Sequence, residues 1–536
     1  MSPPSDHSFA ETGRVLSVRR SLLAMLGLAF VSVMVAIDQT VVGTALPTIV
    51  AELNGFDLYA WVATAYLLTS VITIPIFGRL GDYYGRKPFV LASCLVFMSA
   101  SVLCGIADSM LQLVFARALQ GVGGGMLVGT AFACVPDLFP DSHVRLRWQI
   151  LLTSAFGIAN AVGPTLGGVL TEYAGWRSIF FVNLPVGFIS LFFLWRYLPR
   201  IRQVQASNIR LDWQGAILLA LGLGSLQFFV EMLPRYGAGM PMVALGVFSC
   251  LIFAGLIVWE KHSPHPLIPL DMFRNKSLAV LFCLSLFTGF ILFGLLFYLP
   301  LMLQGGFGLT PRQVGLLITP LVVCITVGSA VNARIIIRMP KPNYMLYAGF
   351  ALQVVSCVGM VTSHEDTARW LLVVYMVLAG VGLGFVMPNL TVFAQETAGR
   401  ALLGISTAML QSVRMVGGML GTAVVGSLVT HYYVEAVRHA VPEGQGTSWL
   451  KLLEDPQMLV NEIIQADFLA TLQVQGLSGA RLIELARLSL VEAIHSGLMT
   501  TLLIALIALF WVYRLPVIRF TRTTLPKPAP KDSADA

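Results

Sequence analysis

Charge is scarce in this sequence: Asp, Glu, Lys and Arg supply 11% of 536 residues, whereas 57% are apolar. A soluble domain carries about 25% charged residues, and a mean hydropathy of +0.80 excludes an ordinary aqueous protein. The seven cysteines (Cys94, Cys104, Cys134, Cys250, Cys283, Cys324 and Cys357) sit in or beside apolar stretches without a CxxC pair. They read as packing residues, not as disulfides or ligands. His262, His265, His364, His431, His439 and His495 show no ligand spacing, which argues against a metal-dependent membrane enzyme. A GxxxxGK[ST] phosphate loop is missing as well, so nucleotide-driven pumping has no sequence support. The formal charge of +7 comes from basic residues scattered singly between apolar runs, which is a topology signal and not a nucleic-acid-binding face.

What fills the chain instead is hydrophobic runs. A helix needs about 20 mainly apolar residues to cross the hydrocarbon core. Fourteen such runs are expected, at 22–47, 58–77, 88–107, 111–136, 148–171, 178–198, 213–232, 241–259, 278–303, 313–333, 344–362, 370–393, 402–430 and 493–513. The polar stretch 1–20 carries Arg14, Arg19 and Arg20, but the run after it is too long for a signal-peptide core and reads as a retained first span.

With both termini inside, twenty-four Lys and Arg residues fall in cytoplasmic segments, and the short outer loops hold only Arg177, Arg235, Arg312 and Arg369. One span too many or too few would scramble this asymmetry downstream, so count and orientation support each other. The long outer segment 431–492 has apolar residues near helical spacing (Leu452, Leu453, Leu459, Ile463, Leu469, Leu472, then Leu482, Leu485, Leu488). Two amphipathic helices on or above the outer surface are expected, either as a packed cap or as a docking site for a partner such as a periplasmic adaptor.

Three charged residues lie well inside spans, away from their ends: Asp38 in the first, Arg117 in the fourth and Arg414 in the thirteenth. Ionisable groups in lipid are costly and pair with one another or with carbonyls. The loop after the second span reads GRLGDYYGRKP from Gly78 to Pro88. Its glycines let helix ends approach, while Asp82, Arg86 and Lys87 form a charge group able to lock and release two bundles.

In position and spacing, Gly78, Leu80, Asp82, Gly85, Arg86 and Lys87 resemble the loop motif of the major facilitator superfamily. AIDQTVVGTALPTI (Ala36–Ile49) resembles the first-helix motif of its fourteen-span drug:proton antiporters, the EmrB/QacA-type subfamily. RALQGVGGG (Arg117–Gly125) resembles the arginine motif linked to proton coupling, and GPTLGG (Gly163–Gly168) the antiporter motif, with Gly163, Pro164, Gly167 and Gly168 as its hinge. Ala159 stands where the family often has glycine. WRSIFFVNLPVG (Trp176–Gly187) and GGMLGTAV (Gly417–Val424) look like the subfamily's fifth-to-sixth junction and its late small-residue helix. The second half's loop counterpart, ARIIIRMPKPNY (Ala333–Tyr344), lacks the acid and the glycines, which places the gating charges on the first half.

The resemblance implies an all-α integral membrane protein of the major facilitator fold, with two six-helix bundles (21–199 and 277–515) and two extra helices between them (200–276). Cytoplasmic ends would be 1–20 and 516–536. It further implies a monomer in the cell membrane, without cofactor, that uses the proton gradient to export amphiphilic small molecules. An uptake symporter or a lipid transporter of the same fold is the rival. Asp38 and Arg117 would carry the proton coupling, although a permanent structural pair is the plainer reading. Arg414 is either structural, held by groups such as Gln411, or a second charge on the path. Gln39, Trp61, Tyr66, Phe293, Tyr298, Asn389 and Gln411 are expected, with Arg414, to line a cavity that repacks around varied ligands.

Overall fold

Long apolar runs free of water can satisfy their backbone only internally, so they fold as helices, and helix is the regular structure throughout the described residues. The computed structural model describes residues 18–131, 134–138, 142–199, 212–237, 239–263, 266–267, 270–336, 339–398, 403–440, 450, 453–474 and 479–517; the side chains at 79, 82, 83 and 142–154, and at a few other positions within these ranges, lie outside that description. The long helices are α1 (Val18–Leu53), α2 (Tyr59–Tyr84), α3 (Arg86–Gly105), α4 (Met110–Ala131), α5 (Ser142–Ala174), α6 (Asn183–Tyr197) and α7 (Trp213–Tyr236). They continue as α8 (Met240–His262), α9 (Lys276–Leu301), α10 (Pro311–Ile336), α11 (Tyr344–Val361), α12 (Arg369–Ala398), α13 (Leu403–Ala440) and α14 (Gly479–Trp511).

Thirteen helices among the described residues are long and apolar enough to cross a membrane. The expected fifth span falls on α5, a helix of 33 residues. The chain is a multi-pass, all-helical membrane protein.

The order of packing repeats. In the first half α1 lies against α5, α2 against α4, and α3 against α4 and α6; eight helices later α9 lies against α13, α10 against α12, and α11 against α12 and α14. The linking helices α7 and α8 pair with each other, and α7 touches α13 and α2. The seams are made of small residues, because helices in lipid attract through close van der Waals contact and not through hydrophobic exclusion. A Cβ at Gly417 would strike the carbonyl oxygen of Leu286, and one at Gly289 the carbonyl oxygen of Arg414, so α9 and α13 touch backbone to backbone.

Helix ends define two faces. On the terminal face, where α1 begins, Arg20 and Lys87 donate to carbonyls at the end of α6. On the far face Arg177 meets Glu52 and the carbonyl of Ala107. Among the described residues, the hydrogen bonds joining the two halves all lie toward this far face. Gln304 Nε2 donates to the Thr44 carbonyl (2.7 Å), Tyr59 Oη to that of Phe297 (2.6 Å), and Thr165 pairs with Thr319 (2.6 Å).

The outer segment differs from the expected pair of surface helices. α13 runs on to Ala440, the helix Glu462–Val474 is separate, and Leu482, Leu485 and Leu488 belong to α14 itself. At about 1.5 Å per residue a 33-residue helix outruns a 30 Å core, so its first turns, which hold Arg481, Glu484, Arg487 and Glu492, project beyond that core and carry charge. The segment is packed down: Tyr433 Oη donates to the Leu453 carbonyl (2.7 Å) and Asn461 Nδ2 to that of Ala51 (2.9 Å), with Leu453, Leu459 and Leu472 buried.

Backbone contact makes a sharp prediction. Gly417→Ala should destabilise the protein by about 1–3 kcal/mol, seen as a lower melting temperature in detergent. Gly255→Ala, where a Cβ meets nothing within 4 Å, should leave the melting temperature level or raise it.

Candidate functional site

Successive helical residues turn by about 100°, so Asp38 and Thr40, two apart, point to nearly opposite sides of α1. Thr40 and Thr44 return their hydroxyls to α1 carbonyls and face α5, where Gly163 and Gly167 leave room for them. Asp38 faces inward, among α3, α4 and α6.

There it meets a complete set of donors. Arg117 Nη1 on α4 donates to Asp38 Oδ2 at 2.7 Å, and both residues are 1% exposed. Gln120 Nε2, one turn further along α4, donates to Asp38 Oδ1 (2.7 Å). Asn183 Nδ2 at the start of α6 donates to the same oxygen (3.1 Å). Arg117 also reaches Gln120 Oε1 (2.5 Å) and the Val62 carbonyl (3.2 Å), and its guanidinium lies 4.5 Å over the Tyr66 ring. Ser101 on α3 accepts from Gln120 and from Asn183. Five helices therefore converge on one buried carboxylate. An ion pair sealed from water survives only when hydrogen bonds meet its remaining groups; three donors meet this carboxylate, while Asn183 Oδ1 is buried without a partner among the described residues.

Sequence reading singled out Asp38, Arg117 and Tyr66 and passed over Gln120, Ser101 and Asn183. Gln120 and Asn183 stood inside the quoted stretches RALQGVGGG and WRSIFFVNLPVG. An amide in an apolar span was the signal, since a buried amide demands partners.

The other expected positions spread out. Gly85, at φ 88°, makes the break between α2 and α3 that a side chain would strain. Lys87 Nζ caps α6 through the carbonyls of Trp195 (2.7 Å) and Leu198 (2.6 Å), where a cation suits the helix dipole. Arg86 is half-buried and Gly78 lies against Gly129 of α4, while the Asp82 side chain lies outside the described residues. The GPTLGG glycines divide their contacts: Gly163 and Gly167 accommodate α1, whereas Gly168 and Pro164 meet Pro311 and Gly315 of α10 in the other half.

Of the proposed lining residues, Gln39 is half-buried and lies beside Tyr66. Trp61 packs on Phe228 of α7 (5.7 Å). Phe293 stacks on Phe297 (6.2 Å), and Tyr298 Oη donates to the Thr422 carbonyl (3.0 Å). Asn389 pairs with Asn332 (2.8 and 3.0 Å), and Gln411 accepts from Arg414 (3.2 Å). The structure gathers Tyr66, with Gln39 beside it, into the Asp38 network and spreads the others over α2, α9, α12 and α13.

The sequence profile described as the Major Facilitator Superfamily matches residues 28–422. The chain belongs to that superfamily. It is similar to the Multidrug transporter protein MdtP of Bacillus subtilis (strain 168), 30% identical over 516 residues, or 93% of this chain and 94% of that protein. It is also similar to the Tetracenomycin C resistance and export protein of Streptomyces glaucescens, 31% identical over 408 residues, or 76% of this chain and 75% of that one. In fold it resembles a bacterial homologue of the human lysosomal transporter Spinster (TM-score 0.66, 13% identity, 93% of this chain and 98% of that one). The superfamily consists of transporters, and this multi-pass chain is one of them.

Arg117→Met, which strands the Asp38 carboxylate, should cost about 3–5 kcal/mol of stability. The pair Asp38→Leu with Arg117→Met should recover much of that loss, a double-mutant cycle readable by denaturant unfolding in detergent.

Proposed function

We propose that this transporter exports amphiphilic small molecules, drugs among them, in exchange for protons. The observation that carries the reading is the two-sidedness of α1. One side holds Asp38 in its network, and the other carries the seam to α5 and to the second half. Gly43 lies against the Leu296 carbonyl, and the Thr44 carbonyl and the Thr48 hydroxyl both contact Gln304 of the second half.

A proton on Asp38 removes the charge that holds Arg117, Gln120 and Asn183. That change acts on α1, and α1 bears directly on the far-face latch between halves. Such a device is bistable: the ion pair favours one packing of α1, and the neutral acid favours another. With the halves latched on the far face, cargo enters from the terminal face; protonation from the far side would accompany opening there. One proton entering across about 100 mV supplies about 2.3 kcal/mol, and each pH unit adds about 1.4. The names of the two relatives, a multidrug transporter and an export protein, support the direction and the cargo class. In this reading the protein sits in the cell membrane with both termini in the cytoplasm and works as a monomer without a cofactor.

The test uses purified protein in liposomes loaded with a pH dye, challenged with ethidium and with a neutral drug. Wild type should exchange protons for drug, and Asp38→Asn should still bind drug yet lose that exchange. Equal transport by wild type with and without a pH gradient would leave a facilitator instead.

A further inference from the structure

The second buried arginine has none of the provision made for the first. Arg414 is 6% exposed, and its sole recorded hydrogen bond runs from Nη1 to Gln411 Oε1 at 3.2 Å. Nε and Nη2 are buried with no acceptor, and no ion pair involves Arg414 among the described residues. A guanidinium held this way is strongly destabilised unless an oxygen from elsewhere completes it.

Its position says where that oxygen comes from. The Arg414 carbonyl touches Gly289, halfway along the 26-residue α9, so the backbone of Arg414 stands near the middle of that helix. Around α13, Gly417 and Gly421 face α9, Thr407 bonds to Gln395 of α12, and Gly426 meets Ala60 of α2 in the opposite half. At 100° per residue, Gln411 falls between the α12 and α2 contacts, on the side turned toward the space between halves, whereas Arg414 falls between the α9 and α12 contacts and reaches that side through its Nη1 bond to Gln411.

We infer that Arg414 and Gln411 form an anion subsite on the transport path, and that the protein's cargo includes amphiphiles bearing a carboxylate. The free Nε and Nη2 edge of a guanidinium matches the two oxygens of a carboxylate, a fit that Lys and neutral donors lack. Arg414 thus selects cargo, where Arg117 is already spoken for by Asp38. This rests on the exporter reading and refines it: an anion leaving as a proton enters moves two charges in one electrical sense, so membrane potential would drive the exchange.

Matched probes test it: 2-naphthoate and 2-naphthamide share shape and differ in charge, and so do salicylate and salicylamide. Binding to purified wild type at fixed chloride, followed by calorimetry in nanodiscs of neutral phosphatidylcholine, should favour each carboxylate by about ten-fold or more. Arg414→Gln should erase that preference, and Arg414→Lys, which keeps charge but loses the fork, should retain part of it. Melting curves check that both variants are folded; if the Gln variant is not, Arg414→Lys decides alone by a reduced preference. Equal or weaker carboxylate binding by wild type, a preference that survives Arg414→Gln, or an unreduced preference in the Lys variant would overturn the inference. So would abolition of the preference by phosphatidylglycerol in the nanodisc, since the lipid would then be the anion. Proton exchange measured on the same preparation separates the two readings. Proton-driven export of amides alone sinks the subsite and keeps the antiporter, whereas carboxylate selectivity without proton exchange does the reverse.

Discussion

A carboxylate cannot stay charged in the middle of a helical bundle without donors gathered around it, and that requirement organises the first half of this protein. Asp38 draws Arg117 and Gln120 from α4, Asn183 from α6 and, through them, Ser101 from α3 and the Val62 carbonyl from α2. Apolar packing in lipid is only weakly directional. The network supplies the direction, fixing the rotation of each helix about its own axis. The second half has the same order of helix pairs; among its described residues no ion pair plays the part of Asp38 and Arg117, and small-residue seams such as Gly289 and Gly417 align it.

The two halves therefore differ in what can change them. Removing a charge at Asp38 alters the first half at its centre, while the glycine seams of the second respond only to shape. α5 stands between these behaviours. Gly163 and Gly167 fit it to α1, and Pro164 and Gly168 fit it to α10. A displacement of α1 is thus passed to the other half through a helix whose proline already weakens its own hydrogen bonding.

Much of this was legible in the residues because spans depend on local hydropathy and length. Asp38 and Arg117 were conspicuous as charges in apolar runs, and each proved to need the other. Gln120, Ser101 and Asn183 were not, since an uncharged polar residue in a span can satisfy itself within its own helix, as Thr40 does. The end of α14 was misread for a related reason. The spacing of Leu482, Leu485 and Leu488 was read as a separate surface helix, yet a helix that outruns the bilayer continues through its projecting turns without interruption. Lys87, expected in a charge group, also caps α6, a contact across 108 residues of sequence that local pattern cannot foretell.

The separation of Asp38 from Arg117 has a consequence for biosynthesis. The two are 79 residues apart, and at about 5–20 residues per second the ribosome delivers the acid roughly 4–16 s before its counter-charge. During that interval α1 has left the ribosome with an unpaired carboxyl near its centre, an insertion penalty of about 2.5–3.5 kcal/mol on translocon scales, which its apolar remainder can offset. Asn183 arrives later still, 145 residues after Asp38. The nascent first helix must therefore insert on the strength of its apolar residues, before either partner of Asp38 has arrived.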